Sequence, residues 1–228
     1  MNRLTFHGHA AFELNTSKGT RIMFDPWLNQ NPHADIKTKD VDKLDYIMVS
    51  HGHGDHFSDV IDLAKQTGAT VLATFELVAL CQAKGVAKGH GMSIGGGYRF
   101  PFGYAKLTPA LHGTGIDGGE NGIHSTMPNG WWVDLGDARV YHAGDTALIT
   151  DMQLLQGKVD VAMVPIGDNF TMGPEDAARA VEFIKPRVVI PMHYNTFDLI
   201  KQDPQDFARR VGKRAEVVIL KPGESFEF

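Results

Sequence analysis

The stretch His51-Gly52-His53-Gly54-Asp55-His56 places four potential metal ligands within six residues, directly after a run at 45–50 that is typical of a short β-strand. Gly52 and Gly54 lack a Cβ atom, so the backbone can turn tightly enough for the flanking side chains to converge on one point. The alternative is a His-rich surface loop, but solvated loops favour Lys, Glu and Ser. The stretch therefore predicts a metal site at the end of a strand.

Three more ligand-type residues follow predicted strands. They are His112 after the strand at 104–111, Asp145 just past a hairpin strand at 138–142, and His193 after the strand at 188–191. Taken singly, either histidine is more often an ordinary strand-end residue, and Asp145 has the alternative role of a turn residue or helix N-cap. Their recurrence at strand ends favours a joint role with the first cluster.

Together these positions offer five histidines and two aspartates. A structural zinc site needs only four ligands and is usually rich in cysteine, whereas this chain has one cysteine, Cys81. Seven nitrogen and oxygen ligands suit two metals that share a bridging carboxylate and leave room for water. Imidazole with carboxylate suits zinc, manganese, iron or nickel and does not choose among them. We therefore expect two divalent metal ions per chain.

Short β-branched runs alternate with helical patterns along the chain, and Gly or Pro marks nearly every junction. Helices are predicted at 60–66, at 75–83, and after Pro174 and Pro204. A stretch at 113–130 that is rich in Gly, Asn and Asp has the length of a functional loop. This pattern predicts a layered α/β protein, and its 228 residues without a linker suit a single domain over 1–228.

The charged residues limit the classes of partner. Lys and Arg number 22 against 27 Asp and Glu, a net charge of −5, and no basic run is present that would contact a phosphate backbone. No apolar run approaches the ~20 residues of a membrane span, and the first ten residues do not read as an export signal. We therefore expect a cytoplasmic protein with a small-molecule substrate and no nucleic-acid or membrane partner. A homo-oligomer is compatible with the sequence.

The order of these motifs resembles the metallo-β-lactamase superfamily. The pattern His51-x-His53-x-Asp55-His56 with His112, Asp145 and His193 downstream carries the resemblance, which spans nearly the whole chain. Three shorter strings are similar to a branch of small metal-dependent hydrolases like L-ascorbate-6-phosphate lactonase: Gly8-His9-Ala10, Phe170-Thr171-Met172-Gly173-Pro174 and Met192-His193-Tyr194-Asn195-Thr196. The resemblance implies a four-layer αββα sandwich with the metal site at one edge of its two sheets.

The resemblance also implies which residues bind which metal. One metal would take His51, His53 and His112, the second would take Asp55, His56 and His193, and Asp145 would bridge them. Two divalent cations lower the pKa of a bridging water from ~15.7 towards ~7, so hydroxide would be available to attack a carbonyl carbon or phosphorus. Asp55 is then expected to orient this water and accept its proton.

These features predict a dinuclear metal-dependent hydrolase that uses a metal-bridging hydroxide on a small, anionic metabolite such as a lactone, phosphodiester or other ester. Flavodiiron proteins fit less well because they carry a flavin domain and a Glu at the place of His53. The remaining alternative is a non-catalytic metal-binding or regulatory module of the same fold.

Three further residues are candidates for supporting roles. The resemblance puts His9 and Asp25 beside the metals, His9 as a pocket or acid residue and Asp25 as a carboxylate that orients a ligand imidazole. A surface histidine and a capped turn are the alternatives for these two. Asn195 would point to the same side as His193 on an extended segment and donate to a substrate oxygen, or it is an ordinary turn residue.

The other histidines are predicted outside the ligand set. His142 is expected to pack within the sheet, His124 is a weaker rival of His112, and His7, His33 and His90 are expected on the surface. Cys81 lies on a predicted helix with Leu77 and Leu80 and is expected to be a buried, inert thiol.

Overall fold

The computed structural model describes residues 1–117, 123–124 and 126–228. Two seven-stranded sheets pack face to face, and helices cover the outer face of each. This is a four-layer αββα sandwich, so the predicted fold class is confirmed. None of the helices in the described residues combines the length and the apolar composition needed to cross a bilayer.

The strands, numbered along the described chain, are β1 (Arg3–Phe6), β2 (Phe12–Asn15), β3 (Arg21–Phe24), β4 (Tyr46–Met48), β5 (Thr70–Thr74), β6 (Gly89–Met92), β7 (Gly97–Phe100), β8 (Gly103–Pro109), β9 (Ile116–Asp117), β10 (Ile123–His124), β11 (Asn129–Asp134), β12 (Arg139–His142), β13 (Val161–Pro165), β14 (Val188–Met192), β15 (Glu216–Val217) and β16 (Ser225–Glu227). The first sheet has the order β16-β1-β2-β3-β4-β5-β6, the second has the order β15-β14-β13-β12-β11-β8-β7, and β9 pairs with β10.

The α-helices are α1 (Gly54–Phe57), α2 (Val60–Thr67), α3 (Phe75–Ala83), α4 (Pro174–Ile184) and α5 (Pro204–Val211), and short 3-10 helices cover Thr38–Asp40, Thr150–Leu155 and Asp198–Ile200. Proline stands in the first turn of α4 and of α5. A backbone N–H at this position would have no acceptor within the helix, so the absence of an N–H in proline costs no hydrogen bond. Helices therefore begin at the two positions where proline predicts them.

Apolar side chains between the two sheets form the main core. Phe24 of the first sheet and Trp131 of the second are completely buried there, and Trp131 Nε1 donates to the backbone oxygen of Val49 at 3.1 Å. Leu77 of α3 packs in the cluster on the outer face of the first sheet. Strands β13 and β14 are buried along their whole length, which explains why their sequences are continuous apolar runs.

The loops that carry the candidate ligands leave each sheet at its carboxyl-terminal edge. Strands β3, β4 and β5 are parallel, as are β12, β13 and β14. Strand β2 lies antiparallel between β1 and β3, and β11 lies antiparallel between β8 and β12. Strand β1 therefore runs in the same direction as β3, and β8 runs in the same direction as β12. The residues that follow the carboxyl ends are His9, Asp25, the segment 51–56, His112, Asp145 and His193.

The strand boundaries differ in detail from the prediction. Strand β8 ends at Pro109 and β12 ends at His142, so two residues separate each strand from its candidate ligand, His112 or Asp145. Of the three downstream ligands, only His193 follows its strand directly. The residues between each strand end and its candidate ligand leave the sheet at the same edge, so the ligand side chains still come together.

Strand β6 was not predicted, because Gly89 and Gly91 within it disfavour a strand by propensity. A Cβ atom at Gly89 would lie 2.5 Å from Cγ1 of Val78, and one at Gly91 would lie 2.9 Å from the Cα atom of Phe75. Both neighbours belong to α3, so the close approach of this helix requires glycine in the strand.

The stretch at 113–130 is more structured than the predicted open loop. Within it, β9 pairs with β10, and β11 begins at Asn129. Residues 118–122 and 125 lie outside the described chain, as does the side chain of His124, so the rivalry between His124 and His112 stays untested.

The prediction that His7 lies on the surface is wrong. Its side chain is buried, and Nδ1 lies 2.8 Å from Oδ1 of Asp35, which supplies the hydrogen-bond partner that makes this burial tolerable. His33 is exposed and His90 is half-buried. Cys81 is completely buried and burial raises the pKa of its thiol to about 12, as expected of an inert cysteine.

Candidate metal centre

All seven predicted ligands lie together where the two sheet edges meet. In each of three overlapping groups, one ligand atom from every residue lies within 4.8 Å of the others. The groups are His51, His53 and His112; His51, His56 and Asp145; and His9, Asp55, His56 and His193. The structure thus brings together both ligand sets that the resemblance implies and adds His9. The assignment of these residues as metal ligands stays a prediction.

The first group consists of imidazoles from two loops. Nε2 of His51 lies 3.0 Å from Nδ1 of His53, and that atom lies 3.2 Å from Nε2 of His112. His53 is the N-cap residue of α1, and its backbone oxygen accepts from the N–H groups of His56 and Phe57. This single helical turn is what places Asp55 and His56 beside the histidines that precede it.

Asp145 stands between the two ligand sets. Its Oδ2 atom lies close to Nε2 of four histidines: His193 at 3.0 Å, His56 at 3.3 Å, His112 at 3.6 Å and His51 at 3.9 Å. The side chain is buried, yet its Oδ1 has no hydrogen-bond partner among the described residues. A carboxylate shared by two metals would need this central position.

Electrostatics keep Asp145 ionised. Burial alone would raise the pKa of this carboxyl, but the nearby His193 and His56 outweigh it and hold the pKa well below the usual range. At His56 burial lowers the pKa, and the carboxylates of Asp145 and Asp25 outweigh burial and hold it well above the usual range. Burial lowers the pKa of His51 well below the usual range. The centre therefore combines an anionic carboxylate with buried imidazoles.

Asp25 orients one of these imidazoles from behind. Its Oδ2 accepts from Nδ1 of His56 at 2.8 Å and from the hydroxyl of Ser50 at 2.6 Å, and its Oδ1 accepts from the N–H of Ser50 at 2.7 Å. The Ser50 hydroxyl oxygen also lies 3.0 Å from Nδ1 of His51. This arrangement agrees with the supporting role predicted for Asp25. Ser50 was missed, although its position directly before His51 was the available signal.

Several buried polar atoms in the centre lack a partner within the described part of the chain. They are Nε2 of His56, Nδ1 and Nε2 of His193, and Oδ1 of Asp145. The two Nε2 atoms lie 3.3 and 3.0 Å from Oδ2 of Asp145, but these contacts do not have the geometry of a hydrogen bond. Unpaired buried polar atoms are rare in native proteins because each one costs free energy. Imidazole Nε2 atoms that converge on a carboxylate are what divalent cations bind. The residues present therefore fit metal ions at this centre.

The backbone around the centre is unusual. His9, Asp25 and His193 have φ values of 59°, 43° and 56°, which lie in the left-handed region that non-glycine residues seldom adopt. The N–H of His193 donates to the backbone oxygen of His9 at 2.7 Å, which ties the loop after β14 to the loop after β1. Such conformations concentrate at functional sites, where the surrounding structure holds them in place.

His9 lies beside Asp55 in the third group. Nε2 of His9 lies 3.1 Å from Oδ2 of Asp55, and Nδ1 lies 2.9 Å from the hydroxyl of Thr196. Burial lowers the pKa of His9 to about 4, with His193 adding to the effect, so the imidazole is neutral at pH 7. At Asp55 burial raises the pKa, but the hydrogen bond from His9 outweighs it and keeps the pKa low. Asp55 is therefore a carboxylate at neutral pH.

The geometry assumed for Asn195 is wrong. The segment after β14 is a turn, with left-handed φ values at both His193 and Asn195, rather than an extended strand. The Asn195 carboxamide oxygen accepts from the N–H of Gln202 at 2.8 Å, so the side chain stabilises the turn. The contact of Asn195 with substrate stays an untested prediction.

His142 has no nitrogen left for a metal. Its Nε2 donates to the backbone oxygen of Ala10 at 3.0 Å, and its Nδ1 accepts from the N–H of Gly144 at 3.2 Å. The ring stacks on Phe24 with centroids 5.2 Å apart. These contacts agree with the packing role predicted for this residue.

A cleft of about 670 Å³ opens onto the centre. It is lined by the candidate site residues His53, Asp55, His112, Asp145 and His193, and also by Gln30 and the apolar side chains of Trp27, Phe170, Phe197 and Leu199. These four apolar residues were not predicted as part of the site, because they come from three separate segments of the chain, around residues 27, 170 and 197–199. The cleft can admit a small molecule to the candidate ligands.

Comparisons with known proteins bear on this centre. Residues 20–194 match the family model described as the β-lactamase superfamily domain. The UPF0173 metal-dependent hydrolase of Heliobacterium modesticaldum is 49% identical over 99% of this chain and 97% of its own length. The protein of the same name from Pelotomaculum thermopropionicum is 47% identical over 99% of both chains.

Solved structures give the same result. Igni18, a metallo hydrolase from the archaeon Ignicoccus hospitalis, has a TM-score of 0.90 and 35% identity over 100% of this chain and 99% of its own. An isothiocyanate hydrolase from Delia radicum gut bacteria shares the fold, with a TM-score of 0.76, 17% identity, and coverage of 99% of this chain and 98% of its own. The predicted superfamily is confirmed, while the lactonase-like branch stays a prediction. The chain belongs to the β-lactamase superfamily and, within it, to the UPF0173 metal-dependent hydrolase family.

Proposed function

We propose that this protein is a dinuclear metal-dependent hydrolase. One divalent ion would be held by His51, His53 and His112, the other by Asp55, His56 and His193, with Asp145 between them. The observation that carries the proposal is the set of unpaired, buried Nε2 atoms of His56 and His193 around the Asp145 carboxylate. The names of the UPF0173 relatives support it.

When bound, two divalent ions supply a hydroxide nucleophile at neutral pH and neutralise negative charge on the substrate. Asp55 is the proposed acceptor of a proton from the attacking water, because it is a carboxylate at neutral pH and its side chain is partly exposed in the cleft. His9 positions the Asp55 carboxylate through the contact at Oδ2 and is itself held by Thr196. Asp25 keeps the His56 imidazole oriented from the opposite side.

The reaction class that suits this centre is hydrolysis of a small lactone, phosphodiester or other ester. The anionic substrate expected from the sequence stays a prediction, and the described side chains around the cleft include no Lys or Arg. A non-catalytic metal-binding or regulatory module of the same fold would keep the centre but show no turnover.

Metal analysis of the natively purified protein, combined with a substrate panel, tests the proposal. We expect two equivalents of divalent metal per chain, in zinc, manganese, iron or nickel, and turnover of at least one lactone, phosphodiester or thioester. Two bound metals with no turnover across the panel would favour the non-catalytic module. Saturation at one equivalent, unchanged by His193→Ala, would contradict the dinuclear centre.

A further inference from the structure

We propose that the substrate carries an uncharged, apolar alkyl or aryl substituent that packs on one side of the cleft. This inference rests on the proposed hydrolase function and specifies its substrate class. The surface that would receive the substituent consists of Trp27, Phe170, Phe197 and Leu199, and we call it the apolar wall. Such a substrate differs from the anionic metabolite expected from the sequence.

The apolar wall begins at the candidate metal centre. The Trp27 ring centroid lies 5.1 Å from that of His9, and the Phe197 ring centroid lies 5.5 Å from His9 and 5.6 Å from Trp27. His9 in turn contacts Asp55. A substituent attached to a scissile group at the centre would therefore meet aromatic rings at once.

Three side chains of the apolar wall are exposed to solvent, and the segment that carries two of them is anchored in the fold. Phe170, Phe197 and Leu199 are 48%, 38% and 67% exposed. The 3-10 helix Asp198–Ile200 is anchored by the completely buried Ile200, whose backbone oxygen accepts from the N–H of Asn195 at 2.8 Å. Exposed apolar side chains on a fixed segment that lines a cleft, such as Phe197 and Leu199, are typical of a binding surface.

Apart from the proposed metal ions, the described lining of the cleft offers an anionic substituent no positive charge. The described lining contains the carboxylates of Asp55 and Asp145 and no Lys or Arg. Lys201 lies close in sequence to the wall, but its amine pairs with Asp198 at 2.7 Å and it does not line the cleft. An anionic group on the wall would lose its hydration and gain no charged side chain as partner.

The test compares γ-lactones that differ only in one substituent: methyl, hexyl, or carboxylate. With the metal-loaded protein, we expect kcat/KM for the hexyl lactone to exceed that for the methyl lactone by about tenfold or more, since each buried methylene contributes about two- to fourfold. The carboxylate lactone should be the poorest of the three. Non-hydrolysable 2-hexylcyclopentanone should bind more tightly than 2-methylcyclopentanone in calorimetric titrations, which gives a readout independent of turnover.

Phe197→Ala and Leu199→Ala should each reduce the hexyl-to-methyl ratio and the calorimetric difference by about threefold or more. Leu154→Ala is the matched control, because Leu154 is 69% exposed and lines a separate cavity. Absence of turnover and of metal would defeat the hydrolase proposal itself. Two results would overturn the apolar-substituent inference: turnover without a preference for the longer chain, and a preference for the carboxylate lactone. It would also be overturned if the two variants changed their oligomeric state but kept the hexyl-to-methyl ratio of the parent.

Discussion

Nδ1 of His56 donates a hydrogen bond to Oδ2 of Asp25 at 2.8 Å, and both side chains are completely buried. A carboxylate only accepts hydrogen bonds, so this contact keeps a proton on Nδ1 and turns Nε2 towards Asp145. Ser50 supplies the two other hydrogen bonds to Asp25. The orientation of one candidate ligand is therefore decided by a residue that does not line the cleft.

We predict that Asp25→Asn weakens metal binding by about 10- to 100-fold, as expected when the partner of a ligand imidazole is lost. An amide nitrogen facing Nδ1 would donate to it and shift the imidazole proton to Nε2, where it competes with the metal. Chelator competition titrations measure the affinity, and circular dichroism checks the fold. Asp168→Asn, at an exposed position after β13, is the control. Equal affinity in Asp25→Asn and the parent would contradict the assigned role.

Asp55→Asn should lower turnover by about 100-fold or more at equal metal content, because it removes the group that accepts a proton from water. The fold should persist, since Asp55 is partly exposed in the cleft and lies outside both apolar clusters. Steady-state kinetics on a confirmed substrate, with the metal content of each preparation measured, give the comparison. Turnover at the parent rate would show that another group accepts the proton.

Asp145→Ala should release at least one metal and abolish turnover. A bridging carboxylate offsets the repulsion between two dications roughly 3.5 to 4 Å apart, so its loss should affect the pair more than loss of a ligand to one metal. Asp168→Ala and His142→Ala should retain both metals. Metal stoichiometry at matched purity distinguishes the three variants. Two tightly bound metals in Asp145→Ala, or loss of metal from a folded His142→Ala, would mean that the wrong residue was chosen near the end of β12.

The buried His142 should make stability depend on pH. Burial lowers its pKa from 6.5, so below pH 6.5 the unfolded chain binds the proton before the folded one does. The contribution of neutral His142 is therefore fully present above pH 6.5 and declines as the pH falls, by at most about 1.4 kcal/mol per pH unit. Urea unfolding in the presence of chelator, from pH 7.5 to about 5, should show the parent losing stability faster than His142→Gln. Parallel pH profiles would count against this assignment.

The candidate site could be predicted from the sequence because its residues are typical metal ligands and lie near the ends of predicted strands. His51, His53, Asp55 and His56 are local in the chain, and the segments before His112 and His193 were predicted as strands, whose carboxyl ends share an edge. The Gly-containing strand β6 was not predictable in this way, because the reason for its glycines is the close approach of α3. Burial of His7 likewise depends on Asp35, which is 28 residues away.

Local sequence patterns were thus enough to predict the layered α/β fold and the seven side chains that converge, because strand periodicity, glycine freedom and ligand chemistry are properties of short segments. The superfamily followed from the resemblance of the motif order to a known family. Three relationships emerged only from the folded chain: His9 contacts Asp55, Asn195 stabilises a turn, and Trp27 and Phe197 pack together beside the centre. Two of them join residues from different loops, and the third depends on a backbone turn. Their distances depend on how the sheets pack and how left-handed residues turn the backbone, and no spacing within a single segment encodes that.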